Sequence, residues 1–334
     1  TTMTGMPVSE QEEAFCDTWT LDAGKIDKMH HMPLIMREYG IDDRQIQFFD
    51  ALLPSLQYTQ PALLSYMIYM VERLLEMKRI LKSTGSIYLH CDSTASHYIK
   101  LMMDAIFGHN NFRNEIIWKR THAHNKAKRW GPIHDVIFFY TKGNAYTWNT
   151  VYTPYDENYI SKNYTKQDEF GRYLLVSLTG AGTRKGTGGQ PWHGVDVTAR
   201  GRNWAIPSRS IARALKTIKP SKPVEEMNSQ EKLDLLDQAG LIHWPEKGDM
   251  PTYKQYLDDM EGIPIQDIIT DINPLKAKSK ESMGYPTQKP VALLERIINA
   301  SCPEGGVVFD PFCGCGTTIN AALKNKRKWI GCDI

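Results

Sequence analysis

The sequence has no apolar run of 18 residues, so hydropathy gives no support to a membrane-spanning helix. It has no Cys-x-x-Cys pair. Its six cysteines (Cys16, Cys91, Cys302, Cys313, Cys315 and Cys332) do not form the framework of a small secreted fold. Cys313-x-Cys315 is too tightly spaced for an ordinary metal ligand pair, so no metal site is expected and the cysteines read as small residues in turns and buried strands. The first thirteen residues are polar and acidic, with neither the basic start nor the apolar stretch of a secretory signal. Net charge is also scarce: 40 Lys+Arg against 38 Asp+Glu leave +2. The total therefore does not announce a nucleic-acid binder, and any such role must rest on local patches. What is present is ordinary globular composition, 41% hydrophobic and 23% charged over 334 residues, enough for one or two domains.

Along the chain, residues 1 to about 60 are mixed. Leu63, Leu64, Met67, Met70, Val71, Leu74, Leu75, Ile80 and Leu81 then recur at helical spacing and predict a helix over 62–81. A turn at 82–85 leads to a buried strand, Ser86 to Cys91, a helix over roughly 95–107, and strands at 114–118 and 135–140. This alternation predicts a doubly wound α/β sheet. From about 143 the apolar periodicity fades and aromatics and turn residues rise (Tyr146, Trp148, Tyr152, Tyr155, Trp192, Trp204), as in a separate lobe or large insertion. The α/β pattern returns after Lys289, with a helix over 291–300, a strand at 307–309, a loop over 310–317, a helix over 318–325 and a strand at 328–332.

Two stretches carry chemistry. In Val307-Val308-Phe309-Asp310-Pro311-Phe312-Cys313-Gly314-Cys315-Gly316-Thr317-Thr318, two glycines sit between a predicted strand and a predicted helix. They let the backbone turn tightly and approach a ligand, and the helix N-terminus behind offers free N–H groups. The next strand ends in Asp333, 333 − 314 = 19 positions after Gly314, an offset at which an acid accepts ribose hydroxyls. The bland alternative is an ordinary strand-to-helix turn. The stretch is neither a phosphate-binding GxxxxGK[ST] nor a full GxGxxG. Upstream, Tyr285-Pro286-Thr287-Gln288-Lys289-Pro290 offers a hydroxyl, an amide and an ammonium to a carboxylate, or else it is a helix entry with Thr287 as N-cap and Pro290 in the first turn.

Taken together, TQKP and the downstream DPFCGCGTT resemble the N4/N6 amino-methyltransferases of DNA, in the permuted class whose cofactor motif lies near the C-terminus. GSIYLHCD (85–92), FRNEIIWKR (112–120) and HDVIFFY (134–140) are similar to that family's later catalytic-half strands, in its order. The resemblance implies a Rossmann-like α/β methyltransferase core with an inserted target-recognition lobe: 1–142 the catalytic half, 143–263 the recognition region and 264–334 the cofactor-binding half, the first and last incomplete. It implies S-adenosyl-L-methionine as cofactor, held by Thr287, Gln288, Lys289, Pro290, Asp310, Phe312, Gly314, Gly316, Thr317, Thr318 and Asp333. It further implies double-stranded DNA as partner, methylation at adenine N6 ahead of cytosine N4, a cytoplasmic DNA-associated setting, and a homodimer or restriction endonuclease as further partners. The chain departs from the family in one respect. It contains no Pro-Pro pair, so the family's catalytic Pro-Pro-aromatic corner is not in it, no catalytic residue is assigned, and a non-catalytic DNA-binding remnant stays open as an alternative. That corner holds the target amine and stacks on the extruded base.

The densest basic stretch is 119–130, with Lys119, Arg120, Lys126, Lys128 and Arg129, no acid, and Trp130 at its end. Phosphate contact is the functional reading and a solvated loop the bland one. Arg184, Lys185, Arg200 and Arg202 are further candidates for DNA contact. The aromatics of the lobe could stack on bases, though core packing accounts for most of them.

Overall fold

The computed structural model describes residues 19–121, 128–247, 250–276, 279–285 and 287–333. Lys126 and Pro286 lie outside the described residues, as does Cys16. The chain divides into two compact units, Thr1–Val151 with Ile265–Ile334, and Tyr152–Pro264.

The first unit begins with α1 (Ala23–Glu38) and α2 (Asp43–Leu56), two helices inside the stretch read as mixed. Asp22 and Asp42 cap them by accepting from Lys25 N and Arg44 N at 2.8 and 2.9 Å. Met29, Met32 and Met36 of α1 and Ile46, Phe49 and Leu53 of α2 are buried with the long apolar helix α3 (Pro61–Ile80). β1 (Ser86–Cys91), α4 (Ser96–Phe107), β2 (Phe112–Lys119) and β3 (His134–Thr141) follow within a residue or two of their predicted ends.

In the second unit the elements are short: β4 (Tyr152–Thr153), α5 (Glu157–Asn163), β5 (Lys166–Asp168), β6 (Gly171–Ser177), β7 (Thr179–Ala181), β8 (Arg202–Trp204), α6 (Ser208–Thr217), α7 (Ser229–Gln238), β9 (Ile242–His243), β10 (Thr252–Tyr256) and β11 (Ile263–Pro264). Its main sheet, β5-β6-β10-β9, is antiparallel throughout. Trp192, Trp204, Leu233, Leu236 and Tyr256 are buried together beside it. The two tryptophans satisfy their indole N–H groups on Asp234 Oδ1 at 2.7 Å and Gln190 O at 2.9 Å, so they belong to the core.

The chain then returns to the first unit with β12 (Ile268–Ile269), α8 (Val291–Ser301), β13 (Val307–Asp310), α9 (Thr317–Lys324) and β14 (Lys328–Gly331). One sheet runs β1-β3-β2-β12, with β3 antiparallel to both neighbours and β12 parallel to β2. β13 and β14 form a separate parallel pair joined by α9, the crossover that parallel strands require. Helices alternating with these strands make an α/β core. Leu293 of α8 packs with Trp118, Ile137, Ile269 and Ile272 of the larger sheet, and Val291 and Ile298 pack with Ala321 and Ala322 of α9, so α8 lies between the sheet and the parallel pair's helix. Among the described residues no helix is long and apolar enough to cross a membrane.

Candidate functional site: the glycine loop and its neighbours

The loop after β13 is folded by its own backbone. Asp310 Oδ1 accepts from Phe312 N at 3.0 Å and starts the turn. Cys332 N donates to Asp310 O at 2.9 Å and Cys313 N to Cys332 O at 3.0 Å, which ties both limbs of the loop to the end of β14. Gly314 and Gly316 have φ of +49° and +78°, the left-handed region that glycine enters without a Cβ penalty. Gly316 is the N-cap of α9, so the turn delivers that helix's free N–H groups to the loop, with Thr317 and Thr318 as its first residues. Asp333 Oδ2 accepts the N–H of Gly314 and so closes the strand–loop–helix–strand motif on itself. Phe312, exposed, faces Tyr69 of α3 with ring centroids 6.4 Å apart.

The second stretch lies against the first. A Cβ at Gly314 would stand 3.0 Å from Tyr285 Cε1 and 3.4 Å from its hydroxyl, so the Tyr285 ring covers the bend of the loop. The polar residues of TQKP are arranged differently from the simplest expectation. Gln288 Oε1 accepts from Met283 N, and its Nε2 donates to Glu281 O, both at 2.8 Å; the amide thus braces its own segment. Lys289 Nζ donates to Thr287 O at 2.9 Å, and Thr287 is exposed. Pro290 is the N-cap residue of α8, and Glu281 supplies the side chain that accepts from Val291 N at 2.5 Å. Thr287 therefore does not cap the helix. Glu281 does so from ten residues away in sequence, too far for a local capping signal to reveal.

The structure brings together Asp310, Phe312, Gly314, Gly316, Thr317, Thr318 and Asp333, with Tyr285 from the TQKP segment. Of the basic candidates, Lys119 ends β2, Arg120 follows it, and Lys128 and Arg129 precede β3; all four are exposed. In the second unit Arg184, Lys185 and Arg200 are exposed. Arg202 is half-buried and committed to Thr179, donating to its Oγ1 at 2.7 Å and its carbonyl at 3.0 Å. Burial pushes the Cys91 thiol up to about 12, helped by the charges of Asp92, Asp135 and Glu115, far from the thiolate a nucleophile needs.

A parallel strand pair, a bent glycine loop, a helix N-terminus and a carboxylate after the second strand together make the kind of α/β motif that can hold a nucleoside. The chain belongs to the DNA methylase family, which its residues 59–334 match. It is 33% identical over 270 residues to the Type II methyltransferase M.EcaI of Enterobacter cloacae, covering 80% of this chain and 54% of that protein. It is 28% identical over 319 residues to the Type III restriction-modification enzyme StyLTI Mod subunit of Salmonella typhimurium, covering 89% of this chain and 44% of that subunit. The chain thus spans about half the length of these curated relatives. Among solved structures, the PvuII DNA methyltransferase (cytosine-N4-specific) aligns over 83% of this chain and 69% of that one, at a TM-score of 0.42 and 12% identity.

Proposed function

We propose that this chain carries the cofactor-binding and DNA-contacting parts of an S-adenosylmethionine-dependent DNA amino-methyltransferase, acting on adenine N6 ahead of cytosine N4. The carrying observation is the bend at Gly314 and Gly316, closed by Asp333 and roofed by Tyr285, in a chain of the DNA methylase family. The residues fit the cofactor because the loop presents main chain rather than side chains, a Cβ at Gly316 meeting nothing nearer than Ile319 Cδ1 at 3.9 Å, and α9 opens there with its free N–H groups. The cofactor supplies a methyl group on a sulfonium, open to direct displacement by an amine with no covalent enzyme intermediate. Gly314 and Gly316 let the backbone approach the nucleoside. Asp333, whose Oδ2 accepts from Gly314 N, is proposed to accept ribose hydroxyls. Thr287, Lys289 and Pro290, with Gln288 bracing the segment, are proposed to hold the methionyl end. Asp310 and Phe312 shape the wall, and Thr317 and Thr318 open α9. Positioning of the target amine is not assigned to residues of this chain.

Lys119, Arg120, Lys128 and Arg129, with Arg184, Lys185 and Arg200, are proposed to contact phosphates of double-stranded DNA. A restriction endonuclease and a second copy of the chain are proposed as further partners. The reading is tested by methylating random-sequence duplex DNA with the complete gene product and identifying the modified base by mass. Methyladenine supports the first choice, N4-methylcytosine the second, and an unmodified duplex together with no S-adenosylhomocysteine binding overturns the assignment.

A further inference from the structure

The connection between β2 and β3 carries Trp130, which is 98% exposed. The strands pair as far as Lys119 and His134. Beyond that pair, Ile133 O accepts from Arg120 N at 2.9 Å and from Thr121 N at 3.2 Å, which clamps the base of the connection. Trp130 stands just outside the clamp, separated from Ile133 only by Gly131 and Pro132. Its surroundings contrast with those of Trp118 on the adjoining strand, which is buried and donates its indole N–H to Ile272 O at 2.9 Å. Among the described residues Trp130 makes no hydrogen bond and no ring contact. Tryptophan is highly buried on average, so an indole left bare has its whole π-face open to a partner. The charge around it is of one sign. Lys119, Lys128 and Arg129 are exposed beside it. Arg120 is shared with the buried carboxylate of Asp135, Nε standing 3.3 Å from Oδ1. The partner that suits this surface is a polyanion with aromatic faces, which is a nucleic acid.

An intact duplex hides the faces of its bases against one another, so an indole can stack only where a step is opened. Methyl transfer to an exocyclic amine opens one step, because the target base must leave the stack to be reached. Apolar side chains inserted between base steps are a known means of holding such an opening. We propose that Trp130 is a wedge that enters the duplex at the target step and stacks in the space left by the extruded base, while Lys119, Lys128 and Arg129 hold the flanking phosphates.

This rests on the DNA methyltransferase reading, and the test separates the two. Methylation kcat/KM is measured for the complete gene product, wild type, Trp130→Ala and Trp130→Phe, on duplexes carrying its methylated site. The target base is either paired or mismatched. On the paired duplex Trp130→Ala is expected to lose about tenfold or more, the worth of a stacked base, with Trp130→Phe within about threefold of wild type. On the mismatched duplex, where unpairing is already paid, the Trp130→Ala loss should shrink to about threefold or less. The slope of log affinity on log salt should not change, since no charge is removed. Equal losses on paired and mismatched duplexes, or a Trp130→Ala variant as active as wild type, overturn the wedge and leave the methyltransferase reading standing. A wild-type protein that methylates neither duplex overturns both. The fully exposed side chain contributes nothing to the core, so the variants fold as wild type does.

Discussion

Replacing Gly314 by alanine tests the site at its tightest point. The structure separates two effects there. First, φ at Gly314 is +49° and at Gly316 +78°, so alanine at either position enters left-handed backbone at about 1–2 kcal/mol. Second, the new methyl at 314 lands 3.0 Å from Tyr285 Cε1 and 3.3 Å from Cζ, whereas the one at 316 meets nothing closer than Ile319 Cδ1 at 3.9 Å. The Tyr285 ring must therefore give way by a few tenths of an ångström in one variant and not in the other. Both variants are expected to lose similar thermal stability. Only Gly314→Ala should also lose S-adenosylhomocysteine affinity strongly, on the order of tenfold, or about 1.4 kcal/mol. Calorimetric titration of the two variants side by side makes the comparison. Equal affinities for the two, or a Gly314→Ala variant that binds like wild type, would show that the Tyr285 roof does not shape the pocket.

Leu64, fully buried in α3, should cost about 2–5 kcal/mol on truncation to alanine, read as a lower midpoint in denaturant; a change under 1 kcal/mol would mean the α1–α2–α3 core is packed otherwise. In the second unit, burial raises the carboxyl of Asp168, but hydrogen bonds from Tyr256, Lys254 and Phe170 N hold it below its usual range. A depressed folded-state value contributes stability above the ordinary carboxylate range that is lost as pH falls through the folded value. Asp168→Asn should therefore lower the melting temperature near pH 7 and have a shrinking effect toward pH 3, and a constant difference across that range would refute the pairing. Lys128→Ala with Arg129→Ala should weaken binding to any duplex sequence alike and reduce the slope of log affinity on log salt by about 2, as two lost phosphate contacts would; an unchanged slope places the loop off the DNA.

The parts legible in the sequence were those with strong periodicity or special backbone demands. The nine apolar positions from Leu63 to Leu81 announced α3, and the strand β1 ends where the residue types predict. Gly314 and Gly316 announced the bend because only glycine enters it readily. α1 and α2 were missed because residues 1 to about 60 read as mixed; Pro33 and Pro54 stand inside these helices, whose burial comes from tertiary packing. What the sequence could not show was which polar groups are already occupied. Gln288 braces its own loop, Arg202 is held by Thr179, and Glu281 caps α8, all through contacts made only after folding. Asp135 lay within a motif that the resemblance singled out, but its burial beside His90 and Arg120 has no local signature.

The β13–β14 pair leaves Val307, Phe309, Trp329 and Ile330 between 37% and 54% exposed, and among the described residues no other strand bonds to either member. Unpaired backbone flanked by greasy side chains is an invitation to self-association. Purified alone at high concentration, this chain should precipitate or form ladders of copies joined through that ribbon. A lysine at Val307 or Ile330 is the inexpensive remedy for anyone crystallising it.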